Sequence, residues 1–425
     1  MKIRFFNGKI LCMEPQMDII QGELHTTDDT ISYCGPSIKK INHDIFDREI
    51  DLRGNLVMPG FKNAHTHSAM TFLRSYADDM PLNDWLHKRV FPMEAKLTVE
   101  DIYTLSKLGI AEYLTSGITA NFDMYVDSEP IARAAIDTGF RTVIVSGLNN
   151  FVDSVENVAK NYETLNHFHP LISYQLGFHA EYTTKEEILK GVSELSHQYR
   201  APVYTHISET KQEVTDCLNR TGKTPVAYLD SLGLFDYGGG GYHCVHFTDQ
   251  DKDIFKEKNM SVITNPASNL KLASGIAPLS DYLRAGLNIA IGTDGPASNN
   301  CLDMFREMFL VTGLSKVKEE DAASFDATNV LKAATIGGAK AMGLPLCESL
   351  AVGQKADLFI LNLRKPNMQP ENNIVKNIVY SGSKDNVLLT MVNGKILYEN
   401  GEFFIGEDIG ELYYKCNHII KCMTS

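Results

Sequence analysis

Over the first 56 positions apolar and polar residues alternate in short runs broken by turn residues. Runs at 3–6, 9–13, 22–25 and 30–34 have the period of half-buried strands, and Asn7-Gly8 between the first two is a hairpin dipeptide. These strands carry too few apolar faces to form a core alone. The same pattern returns at the far end, at 356–361, 377–381 and 387–392, with Asn393-Gly394 turning into 395–398. The two chain ends are therefore expected to build one small composite β-sandwich, residues 1–56 its first part and residues 344–425 its second part and a C-terminal tail. Residues 57–343 form an inserted domain.

Inside the insert, strand-like apolar runs alternate with helical periodicity. The opening run, 56–67, turns at Pro59-Gly60 and ends in His65-Thr66-His67. Seven more follow at 118–123, 141–147, 171–179, 202–206, 241–246, 260–265 and 287–294, with helical patterns such as 99–115, 129–138, 185–199, 224–232 and 279–285 between them. Eight strands with crossover helices predict an α/β fold, a closed (β/α)8 TIM-like barrel, with an open doubly wound sheet as the alternative.

A length of 425 residues suits such a barrel with an accessory domain, and 44% hydrophobic with 22% charged residues is the balance of a globular chain. A formal net charge of -13 disfavours nucleic acid and anionic membranes as partners and leaves a small molecule. No apolar run reaches bilayer-spanning length, and Met1 to Phe6 reads as a strand rather than a secretory signal. The eight cysteines include no C-x-x-C pair, so reduced thiols in a cytoplasmic protein are expected. Self-association into a homo-oligomer is left open.

Barrels of this class place chemistry at the C-terminal ends of their strands. His65 and His67, two apart on an extended strand, face one side and form half of a metal site. Other strands end in Gly177-Phe178-His179, Tyr204-Thr205-His206, Gly241-Tyr242-His243 and Gly292-Thr293-Asp294-Gly295. Each alone reads as well as a satisfied core histidine or a turn; five such strand ends together do not. His65, His67, His206 and Asp294 make a nitrogen and oxygen donor set suited to one divalent ion, zinc first and iron second. Water on such an ion becomes hydroxide near neutral pH, so the chemistry is hydrolytic. Glu209 lies three residues past His206 and reaches the same side only if the chain leaves the strand there; it is the candidate proton shuttle, with a first-turn helix acid as the structural alternative. His243 would hold the hydroxide, and Asp294 could accept its proton.

Other stretches are less specific. The run from Gly238 to Gly241 lacks the Lys-Ser/Thr of a phosphate loop and reads as a flexible loop feeding strand six. Residues 265–269 and 298–300 follow strands seven and eight and could line a pocket or cap loops, Ser298 being the substrate-binding candidate. Trp85, the single tryptophan, could stack on a planar substrate or anchor its loop.

Pro59-Gly60-Phe61 leading into His65-Thr66-His67, His206-Ile207-Ser208-Glu209-Thr210, His243-Cys244-Val245-His246, residues 265–272 and Thr293-Asp294-Gly295 together resemble the amidohydrolase superfamily. More closely, the chain resembles the branch of S-adenosylhomocysteine/methylthioadenosine deaminases and triazine chlorohydrolases. The resemblance implies a mononuclear site ligated by His65, His67, His206 and Asp294, with Glu209 as proton shuttle and His243 beside the attacking water. It further implies substrate roles for Trp85, for Glu94 on ribose hydroxyls and for His179 on a purine ring nitrogen. Deaminases of adenosylhomocysteine carry arginines after strand three; here residues 145–151 contain none.

The expected function is hydrolytic deamination of an adenine-type nucleoside (adenosine, 5′-deoxyadenosine, methylthioadenosine or S-adenosylhomocysteine), with release of ammonia. The alternatives are another aminated or chlorinated heterocycle (guanine, a pterin, cytosine or a triazine) and, from a different class, a non-catalytic barrel scaffold.

Overall fold

The computed structural model describes residues 1–13, 17–76 and 78–424, with the side chains of residues 44, 82 and 83 left aside. The chain opens with β1 (Lys2–Leu11), β2 (Ile19–Thr27), β3 (Thr30–Gly35), β4 (Arg48–Asp51) and β5 (Leu56–Pro59). Asn7-Gly8 is not a hairpin. It is a bulge inside the single strand β1, with Asn7 at φ 58° and the register against β2 shifting between Phe5 and Gly8. The kink has a purpose: residues 3–6 pair with β4, and residues 9–10 pair with β5. A Cβ at Gly8 would meet Leu52 Cδ1 at 2.4 Å, so the switch of neighbours requires glycine.

The chain then enters a second sheet: β6 (Phe61–Thr66), β7 (Ile118–Tyr125), β8 (Arg141–Ser146), β9 (Ile172–Ala180), β10 (Val203–Ile207), β11 (Gly239–His243), β12 (Ser261–Thr264) and β13 (Asn288–Ile291). These eight strands are parallel and neighbour one another in sequence order. The ring closes between its last and first strands. Asp294 N–H donates to the His65 carbonyl at 3.0 Å, and the Asn63 amide both accepts from Thr293 N–H and donates to Thr293 Oγ1, each at 2.8 Å. The interior is filled by Ala64, Phe122, Val145, Tyr204, Tyr242 and Ile263, and Ala341 and Met342 join that cluster, where the Tyr204 hydroxyl donates to the Ala341 carbonyl. The glycine run is strand rather than loop. Gly239 to Gly241 belong to β11, and a Cβ at Gly239 would sit 1.9 Å from the Val203 carbonyl oxygen.

After the barrel come β14 (Leu358–Leu361), β15 (Val387–Val392), β16 (Lys395–Glu399) and the short β17 (Glu402–Phe403). They join β1 to β5 in one nine-stranded sheet, ordered β17-β16-β15-β14-β5-β1-β2-β3 with β4 beside β1. The sheet folds back on itself, Thr30 bridging Lys355, around a core of Ile3, Phe5, Ile10, Leu24, Val57 and Leu358 from both chain ends. The strand expected at 377–381 is instead the helix Ile374–Tyr380, capped by the Asn373 side chain on Lys376 N–H. Its apolar residues Ile374, Val375, Ile378 and Val379 recur at helical spacing, which a window of five residues does not reveal. Among the described residues no helix is long and apolar enough to cross a membrane.

The sheet and the barrel are tied by a buried ion pair. Arg141 of β8 donates to both carboxylate oxygens of Asp357, at 2.7 and 3.2 Å, and Asn393 N–H donates to the same carboxylate at 2.6 Å. Removing one partner strands the other charge out of water. Asp357→Ala is expected to lower unfolding stability by ~3 kcal/mol in urea titration, and a loss below ~0.5 kcal/mol would mean the pair is dispensable.

Candidate active site

Every residue of the site sits where a barrel strand gives way to its loop. His65 is on β6 with His67 just beyond it; His206 is the penultimate residue of β10, and Asp294 follows β13. The strand alternation brings the two β6-derived histidines to one side, and barrel closure brings Asp294 beside them. The four side chains each offer a ligand atom within 4.8 Å of the others. His67 Nε2 lies 3.2 Å and His65 Nε2 3.6 Å from Asp294 Oδ1, while His206 Nε2 is 3.1 Å from His65 Nε2.

This donor set fits a divalent cation. His67 Nδ1–H donates to the Met124 carbonyl at 2.6 Å and His206 Nδ1–H to the His179 carbonyl at 2.7 Å, so each ring turns an unprotonated Nε2 inward. Burial, reinforced by neighbouring imidazoles, holds His65 and His206 well below the ordinary imidazole value and keeps them neutral. Burial opposes charge on Asp294 too, but His67 and His243 facing it hold its carboxyl well below the usual carboxylate range. The three imidazoles and one carboxylate together offer an N₃O donor set that would hold such an ion. Asp294 Oδ2, 3.9 Å from His243 Nε2, accepts from Ser268 Oγ at 2.5 Å and Ser298 Oγ at 2.9 Å. Ser298 thus lines the cleft and braces a candidate ligand at once. Ser268, within the candidate pocket stretch 265–269, does only the latter.

The chain does leave β10 directly after Ile207. Ser208, at φ 51°, turns it so that Glu209 points back into the cleft, with Oε2 3.8 Å from His243 Nε2. The turn is clamped by the carboxylate of Glu213, which accepts from Ser208 N–H at 2.6 Å and Glu209 N–H at 2.8 Å. Ser274 Oγ donates to Glu209 Oε1 at 2.9 Å, and His246 Nε2–H donates to the Ser274 carbonyl at 2.7 Å. One carboxylate oxygen of Glu209 is therefore held and the other left toward His243. His243 Nδ1–H donates to Asn269 Oδ1 at 2.7 Å, which turns its Nε2 lone pair toward Glu209 and Asp294. Asn269, read from sequence as a candidate pocket residue, orients His243 instead. Asn299 likewise points inward, donating to the Thr293 carbonyl and to the buried Glu307.

These groups form the floor of a cleft whose walls include Trp85, Glu94, His179 and Ser298. All the substrate-binding candidates thus face one space. Trp85 is buried against the cleft wall. Removal from water pushes Glu94 up to about 7, the Tyr125 hydroxyl pulling the other way. Burial, with His67 nearby, pushes His179 down to about 4; its Nδ1–H donates to Thr183 Oγ1 at 2.9 Å, leaving a neutral ring with an acceptor at Nε2.

Residues 56–397 match the amidohydrolase family. A 5-methylthioadenosine/S-adenosylhomocysteine deaminase of Caldanaerobacter subterraneus subsp. tengcongensis is 38% identical over 98% of this chain and 97% of its own length. The enzyme of that name from Thermoanaerobacter pseudethanolicus is 39% identical over 95% of each chain. Among solved structures, an adenosine deaminase from Xanthomonas campestris with bound zinc superposes with a TM-score of 0.93 at 31% identity, covering 100% of this chain and 98% of that one. An atrazine chlorohydrolase from Arthrobacter aurescens complexed with zinc superposes with a TM-score of 0.90 at 21% identity over 98% of this chain and all of that one, a likeness of fold. With its whole barrel and part of its flanking sheet inside the matched region, and with relatives near 40% identity along its length, the chain belongs to the amidohydrolase family.

Proposed function

We propose that the chain is a hydrolytic deaminase of adenine-type nucleosides that works with one divalent metal ion, zinc by preference. The observation that carries this reading is the pairing of an N₃O donor set with a separate, aimed carboxylate: Glu209 Oε2 stands 3.8 Å from His243 Nε2 at the floor of the cleft. The names of the full-length relatives support the adenine nucleoside as substrate class. The zinc in the Xanthomonas campestris structure supports the metal, since imidazole-rich sites also accept iron.

His65, His67, His206 and Asp294 would hold the ion, which when bound supplies a Lewis acid that makes water acidic near neutral pH. The chain's own groups do the rest. His243, whose ring is oriented by its Nδ1 bond to Asn269, accepts a hydrogen bond from the attacking water on Nε2 and orients it. Glu209 takes the water's proton on Oε2 and passes it to the ring nitrogen next to the amine-bearing carbon. Water oxygen bonds to that carbon, the carbon–nitrogen bond breaks, and ammonia leaves with a proton returned through the same carboxylate. Glu209 has this freedom because Ser274 occupies only Oε1. The acceptor at His179 Nε2 suits an N–H of the heterocycle, and Trp85 offers a flat apolar wall to it.

Zinc-loaded protein is expected to release ammonia from adenosine, 5′-deoxyadenosine or methylthioadenosine and to lose that activity on chelation, with recovery on adding zinc back. Glu209→Gln is expected to lower kcat by about 10³-fold while metal content stays at that of the wild type. A chain that binds metal but leaves every adenosine intact would overturn the proposal. Ser274→Ala frees the held oxygen of Glu209 and is expected to lower kcat by about tenfold with little change in KM; an equal rise in KM would assign Ser274 to substrate binding instead.

A further inference from the structure

The cleft is polar at its floor and apolar along one wall, where Met70, Trp85, Leu86, Phe91, Met124 and Leu272 face the space. Among the described residues no lysine or arginine lines it. Among the described residues its carboxylates are Glu94, Glu209 and Asp294, the last belonging to the candidate metal set, so the side chains outside that set offer a ligand no fixed cation. Glu94, pushed up to about 7 by removal from water, shows how poorly this wall solvates an anion.

The single neutral amide facing the cleft is already spent on its own loop. Asn149 Oδ1 accepts from Phe151 N–H at 2.9 Å and Val152 N–H at 3.3 Å, and its Nδ2 donates to the Gly147 carbonyl at 3.3 Å. Lys271, next to Leu272, is held by Asp78, Asn300 and the Ala297 carbonyl; Lys88 and Arg89 stand exposed beyond Leu86, and Lys88 pairs with Asp84 at 2.8 Å. Contacts made there, in water, contribute little to affinity.

We propose that this site accepts adenine nucleosides whose 5′ substituent is uncharged and apolar, a short alkylthio group above all, and discriminates against those with a zwitterionic amino-acid tail, S-adenosylhomocysteine included. The inference rests on the deaminase reading above and narrows its substrate. It does not depend on which way the nucleoside lies, because among the described residues no lysine or arginine lines any part of the cleft. The discriminator is charge. Glu94 could meet the tail's ammonium, but the tail's carboxylate would then be taken from water without a cationic side chain to pair with. A methylthio or butylthio group loses only unfavourable hydration on the same wall and gains contact with Met70, Met124 and the aromatic rings.

The test is kcat/KM for ammonia release by the zinc-loaded full chain with three substrates: methylthioadenosine, S-adenosylhomocysteine, and 5′-butylthioadenosine, which matches the length of the tail without its charges. Methylthioadenosine and butylthioadenosine are expected within about tenfold of each other, and adenosylhomocysteine lower by about 100-fold or more. Asn149→Arg, which puts a cation on the cleft wall, is expected to narrow the ratio of methylthioadenosine to adenosylhomocysteine at least about fivefold. Adenosylhomocysteine turned over within tenfold of methylthioadenosine overturns the inference while leaving the deaminase intact. A fall in butylthioadenosine equal to that in adenosylhomocysteine also overturns it, because size and not charge would then discriminate. Absence of ammonia from all three substrates removes the deaminase reading itself.

Discussion

The hydrogen bond from Asp294 N–H to the His65 carbonyl does two jobs at 3.0 Å. It closes the ring of strands between the last and the first, and it fixes the backbone of two candidate ligands against each other. Their side chains then meet at 3.6 Å without long flexible arms, and His67 and His206 complete the set from positions equally tied to the ring. A barrel that failed to close would lose the site, since β6 and β13 are its two free edges. The accompanying bracket between Asn63 and Thr293 makes closure a matter of buried side chains as well as of backbone.

Burying such a cluster is costly, and the surroundings are arranged around that cost. Two rings satisfy their outer nitrogens on backbone carbonyls, Asp294 rests on two serine hydroxyls, and the Glu209 turn rests on Glu213. Backbone conformation contributes as well. Ser208, His243, Cys244 and Asp294 all adopt left-handed φ values, between 50° and 71°, without being glycine. Each costs of order 1 kcal/mol and persists only because neighbouring contacts hold it. Val245 and His246 N–H groups both donate to the Ser208 carbonyl at 3.0 Å, so two of these turns support each other. Strained strand ends and converging polar groups coincide here because the side chains must be aimed inward across a ring rather than along a strand.

Local pattern was misleading where a neighbour far along the chain set the outcome. Asn7-Gly8 has the composition of a hairpin, yet β2, β4 and β5 on either side of it make it a bulge. The glycine run before Tyr242 looks like a flexible loop and is a strand because the Val203 carbonyl oxygen passes within 1.9 Å of where a Cβ would stand. Ser274 could not be singled out among many serines, because its partner Glu209 lies 65 residues away, and Ser268 was legible within the stretch 265–269 but not as a brace for Asp294. Asn269 was legible as a residue near the site, but not as the group that orients His243.

The sequence by itself determined the alternation of eight strands with helices, the participation of both chain ends in one sheet, and the residue types able to bind a cation and move a proton. These follow from periodicity and side-chain chemistry, which are local properties. Only the tertiary structure decided that four ligand atoms fall within 4.8 Å, that one oxygen of Glu209 is held and the other left toward His243, and that the cleft wall carries no basic side chain among the described residues. Those are distances between segments separated by up to 229 positions, as His65 is from Asp294. They arise from closing the ring, and local periodicity carries no information about them.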